Sequence, residues 1–292
     1  MAIAIALHKV HKHPDFYDTE VGNVISEKKL KEIISTTSEK YEFLELPKFL
    51  NALQTRKDIA LLTFDDGNSS VFTNAFPILK SRKIPFAIFI NTHNIHTQKP
   101  HWFEVIESAF LSSSESTIKI NNMIYQLNKT KERISAVLHA KEGIKKNQYT
   151  TKSILQKLKI SRTVAINDAQ QSDPQLNKEQ INILKKYRVT IGAHAEKHVL
   201  LSMLSKEDQK RNIFHSKNWI EKNLHSSCFA FSYPNGQTSD FTEYTKHILR
   251  VAGFSCAFSA IGKKINRQSD KYSLPRYFVW EDRYLDFISS KV

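Results

Sequence analysis

The sequence predicts an α/β fold, a parallel sheet with crossover helices, on three observations. Six short apolar or β-branched runs have the length and composition of buried parallel strands. Helical patterns lie between most of them, the alternation that produces crossover connections. The chain is 40% apolar and 25% charged over 292 residues, with no low-complexity or Pro/Gly-rich linker to divide it. A single domain able to bury a large core is therefore expected, and periodicity alone leaves its sheet either open or closed into a barrel.

The first run is AIAIAL (2–7), after which Ser26 can cap a helix through about Ile34. IALLTF (59–64) is the second strand, and the helical segment VFTNAFPILKSRK (71–83) leads to the third, PFAIFI (85–90). Residues 101–185 then break the rhythm with a long, helix-rich, basic stretch that reads as an insertion between the third and fourth core strands. VTIGA (189–193) resumes the pattern. SKEDQ is expected to form a capping box in which Ser205 and Asp208 exchange bonds with each other's backbone donors, with Ile213, Ile220 and Leu224 on one helix face. CFAFSY (228–233) follows, then a helix in DFTEYTKHILRVAG that stops at Gly253, and finally CAFSAI (256–261).

Charge restricts the partners. The net charge is +14, and residues 129–159 hold nine Lys/Arg against two Glu, half of the excess. A basic face of this kind suits nucleic acid, an anionic membrane surface or a phosphorylated glycan carrier, while its plainer reading is a solvated helical surface. No nucleic-acid-binding module is recognisable, so specific nucleic-acid binding is not expected, and peripheral contact with an anionic membrane stays open. Cys228 and Cys256 lack CxxC spacing and sit in apolar runs, which indicates buried thiols and neither a disulfide framework nor a thiolate metal site. The opening MAIAIALHKV has too short an apolar stretch for a signal peptide or a membrane span, and a cytoplasmic protein, with the inner membrane surface as a place of contact, is the expectation.

In α/β barrels, chemistry collects where the strands end. IALLTF ends on Asp65 and Asp66, VTIGA on His194 with His198 four residues on, AIAIAL on His8, and CFAFSY on Pro234-Asn235-Gly236. Two imidazoles at i and i+4 lie on one side of a helical turn, and with one carboxylate they leave positions open for water and substrate, as a catalytic zinc requires. With 12 histidines in the chain, chance spacing is the competing explanation. Adjacent carboxylates repel, and a bound dication would hold Asp66 ionised and offset that repulsion; an ordinary Asp-Asp-Gly turn is the alternative.

Taken in order, TFDDG, HAEKH and FSYPNG resemble successive motifs of the polysaccharide deacetylase family, metal-dependent carbohydrate esterases acting on N-acetylated sugars. ALHKV, FPILKSRKIPFAIFI and SLPRYFV also resemble members of that family, in the branch that begins with a His-bearing strand, so the similarity spans nearly all of the chain outside 101–185. The resemblance implies a distorted (β/α) barrel of about seven strands. It implies Asp65 as general base, Asp66, His194 and His198 as ligands of a divalent metal, and the backbone N–H of Tyr233 as an oxyanion donor. Zinc suits imidazole and carboxylate best, with cobalt, nickel or iron as alternatives.

Many members protonate the leaving amine from a C-terminal Leu-x-His, but the last histidine here is His247, inside an expected helix. His8 is the better candidate, because a closed barrel makes its first and last strands neighbours; a packed or capping role is the alternative. Ala195 stands where many members have Ser or Thr, and Ser232 where many have an Arg that positions the base. Arg276 could orient Asp65 in its place, or be an ordinary structural arginine. The expected function is removal of N-acetyl from an amino sugar of a surface glycan, glycolipid or precursor. A deformylase or other N-acyl hydrolase on the same scaffold is the near alternative, and an inactive basic binding barrel the distant one. Trp102 and Trp280 are read as core packing before sugar stacking.

Overall fold

The computed structural model describes residues 1–281. Seven parallel strands are β1 (Ile3–Leu7), β2 (Ile59–Phe64), β3 (Phe86–Ile90), β4 (Thr190–Ala193), β5 (Ala230–Ser232), β6 (Cys256–Phe258) and β7 (Tyr277–Phe278). They run in the spatial order β6-β5-β4-β3-β2-β1-β7. Their registers include Ile3 opposite Ala60, Leu62 opposite Phe86, and Phe89 opposite Gly192. The chain before β7 also binds the far edge: Leu274 donates to the Ala257 carbonyl and Ser259 donates to Leu274, both at 2.9 Å. Tyr277 and Phe278 then pair with Ile5 and Ala6 of β1, so this segment bridges the two edges of the curled sheet.

Strand periodicity divides the core into two. Ala2, Ala4, Ile59, Leu61, Phe89 and Phe258 belong to one cluster inside the curl. The alternate residues, including Ile3, Ile5, Leu62, Phe64 and Ile88, pack outward against the helices. Gly192 is required where β4 faces inward, because a Cβ there would lie 2.5 Å from the Phe89 ring and 2.9 Å from the Ala230 carbonyl oxygen.

The helices form where capping residues and amphipathic spacing coincide. Ser26 accepts from the Lys29 N–H and starts the helix Glu27–Ser38, which buries Leu30, Ile33 and Ile34. Ser205 caps Lys206–Leu224 through the Asp208 N–H, but the reciprocal half of the expected box is absent: the Asp208 carboxylate takes the Ser205 hydroxyl instead of its backbone N–H. The segment after β2 begins as a π-helical turn, Val71–Ala75, before the α-helix Phe76–Ser81.

Between β3 and β4, the helices Trp102–Ser112, Thr130–Lys145, Thr151–Lys157 and Arg162–Ser172 surround a hydrophobic cluster of their own, including Ile106, Phe110, Val137 and Ile154. They also carry an antiparallel hairpin, Thr117–Ile120 with Met123–Gln126, that periodicity had not indicated. Short parallel pairs at Lys9–His11 with Val24–Ser26, and at Glu42–Phe43 beside β2, were likewise too brief to read from sequence. No helix among the described residues is long and apolar enough to cross a membrane.

Candidate active site

The inward positions of the strands continue past their last hydrogen bonds. Counting by twos, Ala2, Ala4 and Ala6 lead to His8; Ile59, Leu61 and Thr63 lead to Asp65; Gly192 leads to His194; and Ala230 leads to Ser232. All four polar groups are buried, and three of them, His8, Asp65 and His194, line one cleft of about 240 Å³ at the carboxyl ends of the strands.

Asp66 should point outward by the same count. Its backbone instead enters the left-handed region, at φ +73°, followed by Gly67 at φ +84°. Asp tolerates this conformation better than most residues, and Gly67 avoids a Cβ that would meet Ile90 Cγ2 at 3.0 Å. The turn brings both carboxylates to the cleft with different partners.

Asp65 is clamped by protein. Arg276 donates from Nη1 to Oδ1 at 2.9 Å and from Nη2 to Oδ2 at 2.7 Å, a bidentate pair. Ser232 Oγ donates to Asp65 Oδ2 at 3.1 Å and receives Arg276 Nη2 at 2.7 Å. Thr63 Oγ1 and the Ser259 carbonyl accept the remaining guanidinium donors, so Arg276 is fully buried with its planar head fixed. Burial by itself would raise the Asp65 pKa, but the Arg276 charge and hydrogen bonds outweigh it and hold the carboxyl well below the usual range.

Asp66 is left open. Its Oδ1 is buried without a hydrogen-bond partner among the described residues, and it faces His194 Nε2 at 3.4 Å and His198 Nε2 at 3.6 Å. Ligand atoms of the three residues lie within 4.8 Å of one another. His194 Nδ1 sits 2.8 Å from the Ser232 carbonyl, an acceptor that demands an N–H at Nδ1 and leaves the Nε2 lone pair aimed at Asp66. Burial pushes the His198 pKa down to about 3, which favours the neutral imidazole. A carboxylate oxygen without a partner, faced by two imidazole Nε2 atoms, fits a divalent metal.

The two histidines do not share a helical turn. Residues 194–200 form an irregular loop in which Ala195 has φ +64°, and Asn212 Oδ1 accepts from the Glu196 and Lys197 N–H groups at 2.7 and 3.3 Å. Convergence of the rings comes from this pinned loop, since strand β4 has ended and no helix has begun.

His8 Nε2 is 4.0 Å from Asp66 Oδ2, and the ring packs on Phe278 at 4.7 Å between centroids. Burial lowers its pKa. Tyr233 requires a correction: its N–H donates to the Phe258 carbonyl at 3.1 Å in the sheet, and its hydroxyl donates to the Tyr272 carbonyl at 2.8 Å. Neither donor is free for an oxyanion. Trp280 also differs from a core residue, being 40% exposed on the cleft wall.

Sequence reasoning missed the supports that come from the first turn after β3 and from the start of the 101–185 stretch. Trp102 Nε1 donates to the His198 carbonyl at 3.1 Å, and Phe103 packs edge-on against the His198 ring. His101 Nε2 lies 3.0 Å from Asn91 Oδ1, whose amide donates to the His194 carbonyl. Glu104 holds the other side of His101 and pairs with buried Lys9 at 2.8 Å. Asn91 is the inward position following Phe89, so that residue alone was discoverable by counting.

The sequence profile of the polysaccharide deacetylase family matches residues 52–148 and 128–257. A search of curated proteins found no match. Among solved structures, the fold is similar to a Streptococcus pyogenes deacetylase, PplD, in complex with acetate, at 15% identity and a TM-score of 0.63, covering 96% of this chain and 93% of that one. IcaB from Ammonifex degensii is similar at 18% identity and TM-score 0.63 over 99% and 95% of the two chains. A de-N-acetylase from Aggregatibacter actinomycetemcomitans aligns at 14% identity and TM-score 0.58 over 96% and 95%.

Proposed function

Because the chain belongs to the polysaccharide deacetylase family, we propose that it is a metal-dependent hydrolase that removes the N-acetyl group from an amino sugar of a surface glycan, glycolipid or their precursor. The observation that carries the reading is the unequal treatment of adjacent carboxylates: Asp65 is saturated by Arg276 and Ser232, and Asp66 has an unpartnered oxygen facing two imidazoles.

Asp66, His194 and His198 would hold the ion, with zinc the best match to this donor set. When bound, it would polarise the acyl carbonyl and make the attacking water more acidic. Asp65, kept ionised and oriented by Arg276, accepts a proton from that water as its oxygen bonds to the acyl carbon. The C–N bond then breaks and the amine nitrogen needs a proton. His8 is assigned that delivery. Since burial favours its neutral form, it must collect the proton within the turnover in which it gives it away.

The test is acetate release by metal-loaded protein from a panel of N-acetylated glycans, glycolipids and nucleotide sugars, with formate measured alongside. Asp65→Asn is expected to cut the rate by about 10²–10⁴-fold, the range for losing a general base. Absence of acetate from every compound, together with indifference to Asp65→Asn, would sink the proposal.

A further inference from the structure

A second groove of about 230 Å³ adjoins the cleft, sharing Lys145, His198 and Asn235 with it. Its other walls are mostly apolar, formed by Trp102, Ile144, Leu200 and Met203. Lys145 therefore stands at the junction, on the last turn of the helix Thr130–Lys145.

Lys145 is only partly exposed, yet among the described residues its ammonium makes no hydrogen bond or ion pair. The carboxylates that act on it at longer range are committed elsewhere. Glu142 pairs with Lys146 at 3.0 Å, Glu107 pairs with Lys141, and Asp240 accepts from the Gln237 N–H at 2.8 Å and from Ser239 Oγ at 3.3 Å. Lys141, the other ammonium in the cleft wall, is occupied by Glu107 and by the Val21 carbonyl. Burial and the neighbouring Lys141 both lower the Lys145 pKa, the environment of a cation lacking its counter-ion. Half-buried ammonium groups normally find a partner, and here the open side is the substrate cleft.

We propose that Lys145 binds an anionic group, phosphate or carboxylate, carried by the substrate beside its N-acylated sugar, so that charged amino-sugar compounds are the preferred substrates. The inference rests on the deacetylase reading. The apolar groove beyond Lys145 would accept whatever the anionic group is attached to.

Three N-acetylated compounds distinguish the sources of the anion: the neutral methyl glycoside of N-acetylglucosamine, N-acetylglucosamine 1-phosphate, and the matching N-acetylated uronic acid glycoside. Two measurements are made on metal-loaded protein, kcat/KM for acetate release and calorimetric binding to the Asp65→Asn variant. A charge-assisted contact of this kind predicts a preference for one of the anions over the neutral glycoside on the order of tenfold. Lys145→Met is expected to abolish the preference, and Lys146→Met, which alters an exposed paired lysine of like charge, to retain it. Equal binding of neutral and anionic compounds, or a preference that survives Lys145→Met, overturns the inference. Hydrolysis without preference removes this inference and leaves the deacetylase reading standing, whereas Lys145-dependent, anion-selective binding without hydrolysis removes the deacetylase reading and with it the substrate preference, leaving only the anion contact at Lys145.

Discussion

At the scale of single residues, the site depends on one arginine that fixes the Asp65 carboxylate and leaves Asp66 open. Replacing Arg276 with Met would leave the Asp65 carboxylate buried without its counter-charge, and loss of one member of such a pair costs roughly 3–5 kcal/mol. Urea unfolding at neutral pH is expected to show that loss, and a midpoint equal to that of the parent protein would contradict it. His8, Asp65 and His194 were legible because each continues the inward alternation of an apolar run. Asp66 was legible by motif and resemblance, since the alternation points it the wrong way and only its left-handed backbone corrects this. The oxyanion role of Tyr233 failed because sequence does not reveal which N–H groups a neighbouring strand consumes.

At the scale of elements, the first turn of Trp102–Ser112 couples the helical stretch to the loop that carries His194 and His198 through Trp102, His101 and Asn91. Its anchor is the buried Glu104–Lys9 pair. Burial alone would raise the Glu104 pKa, but Lys9 and His101 hold it below the usual carboxylate range. A carboxylate with a depressed folded-state pKa contributes stability in full above its unfolded value of about 4.3 and loses it as pH falls toward the folded one. Glu104→Gln is therefore expected to lower Tm at pH 7 and to weaken the acid dependence of Tm below about pH 4. A variant with the same Tm at pH 7 as the parent would show that the pair contributes little. The long strands and capped helices were readable because period and cap act locally. The hairpin at 117–126 and the strand β7 were not, being two to four residues per strand and dependent on partners far along the chain.

At the scale of the whole molecule, the curl of the sheet matters most, because it gathers residues from positions 8, 65, 194, 198 and 276 into one site. The basic excess of residues 129–159 is not only a solvated face, since Lys141 and Lys145 turn toward the cleft. A ligand bound only by the folded state raises stability by about 2.7 kcal/mol at a hundred times its Kd. Chelation is thus expected to lower Tm, and restoring zinc to recover it; a Tm indifferent to chelator would argue that the trio holds no ion.

The division of labour between Asp65 and Asp66 is tested most directly by metal content, read by elemental analysis of purified parent protein, Asp65→Asn and Asp66→Ala after equilibration with zinc. The expected result is one ion per chain in the parent and in Asp65→Asn, and none in Asp66→Ala. An ion retained by Asp66→Ala but lost from Asp65→Asn would contradict the assignment.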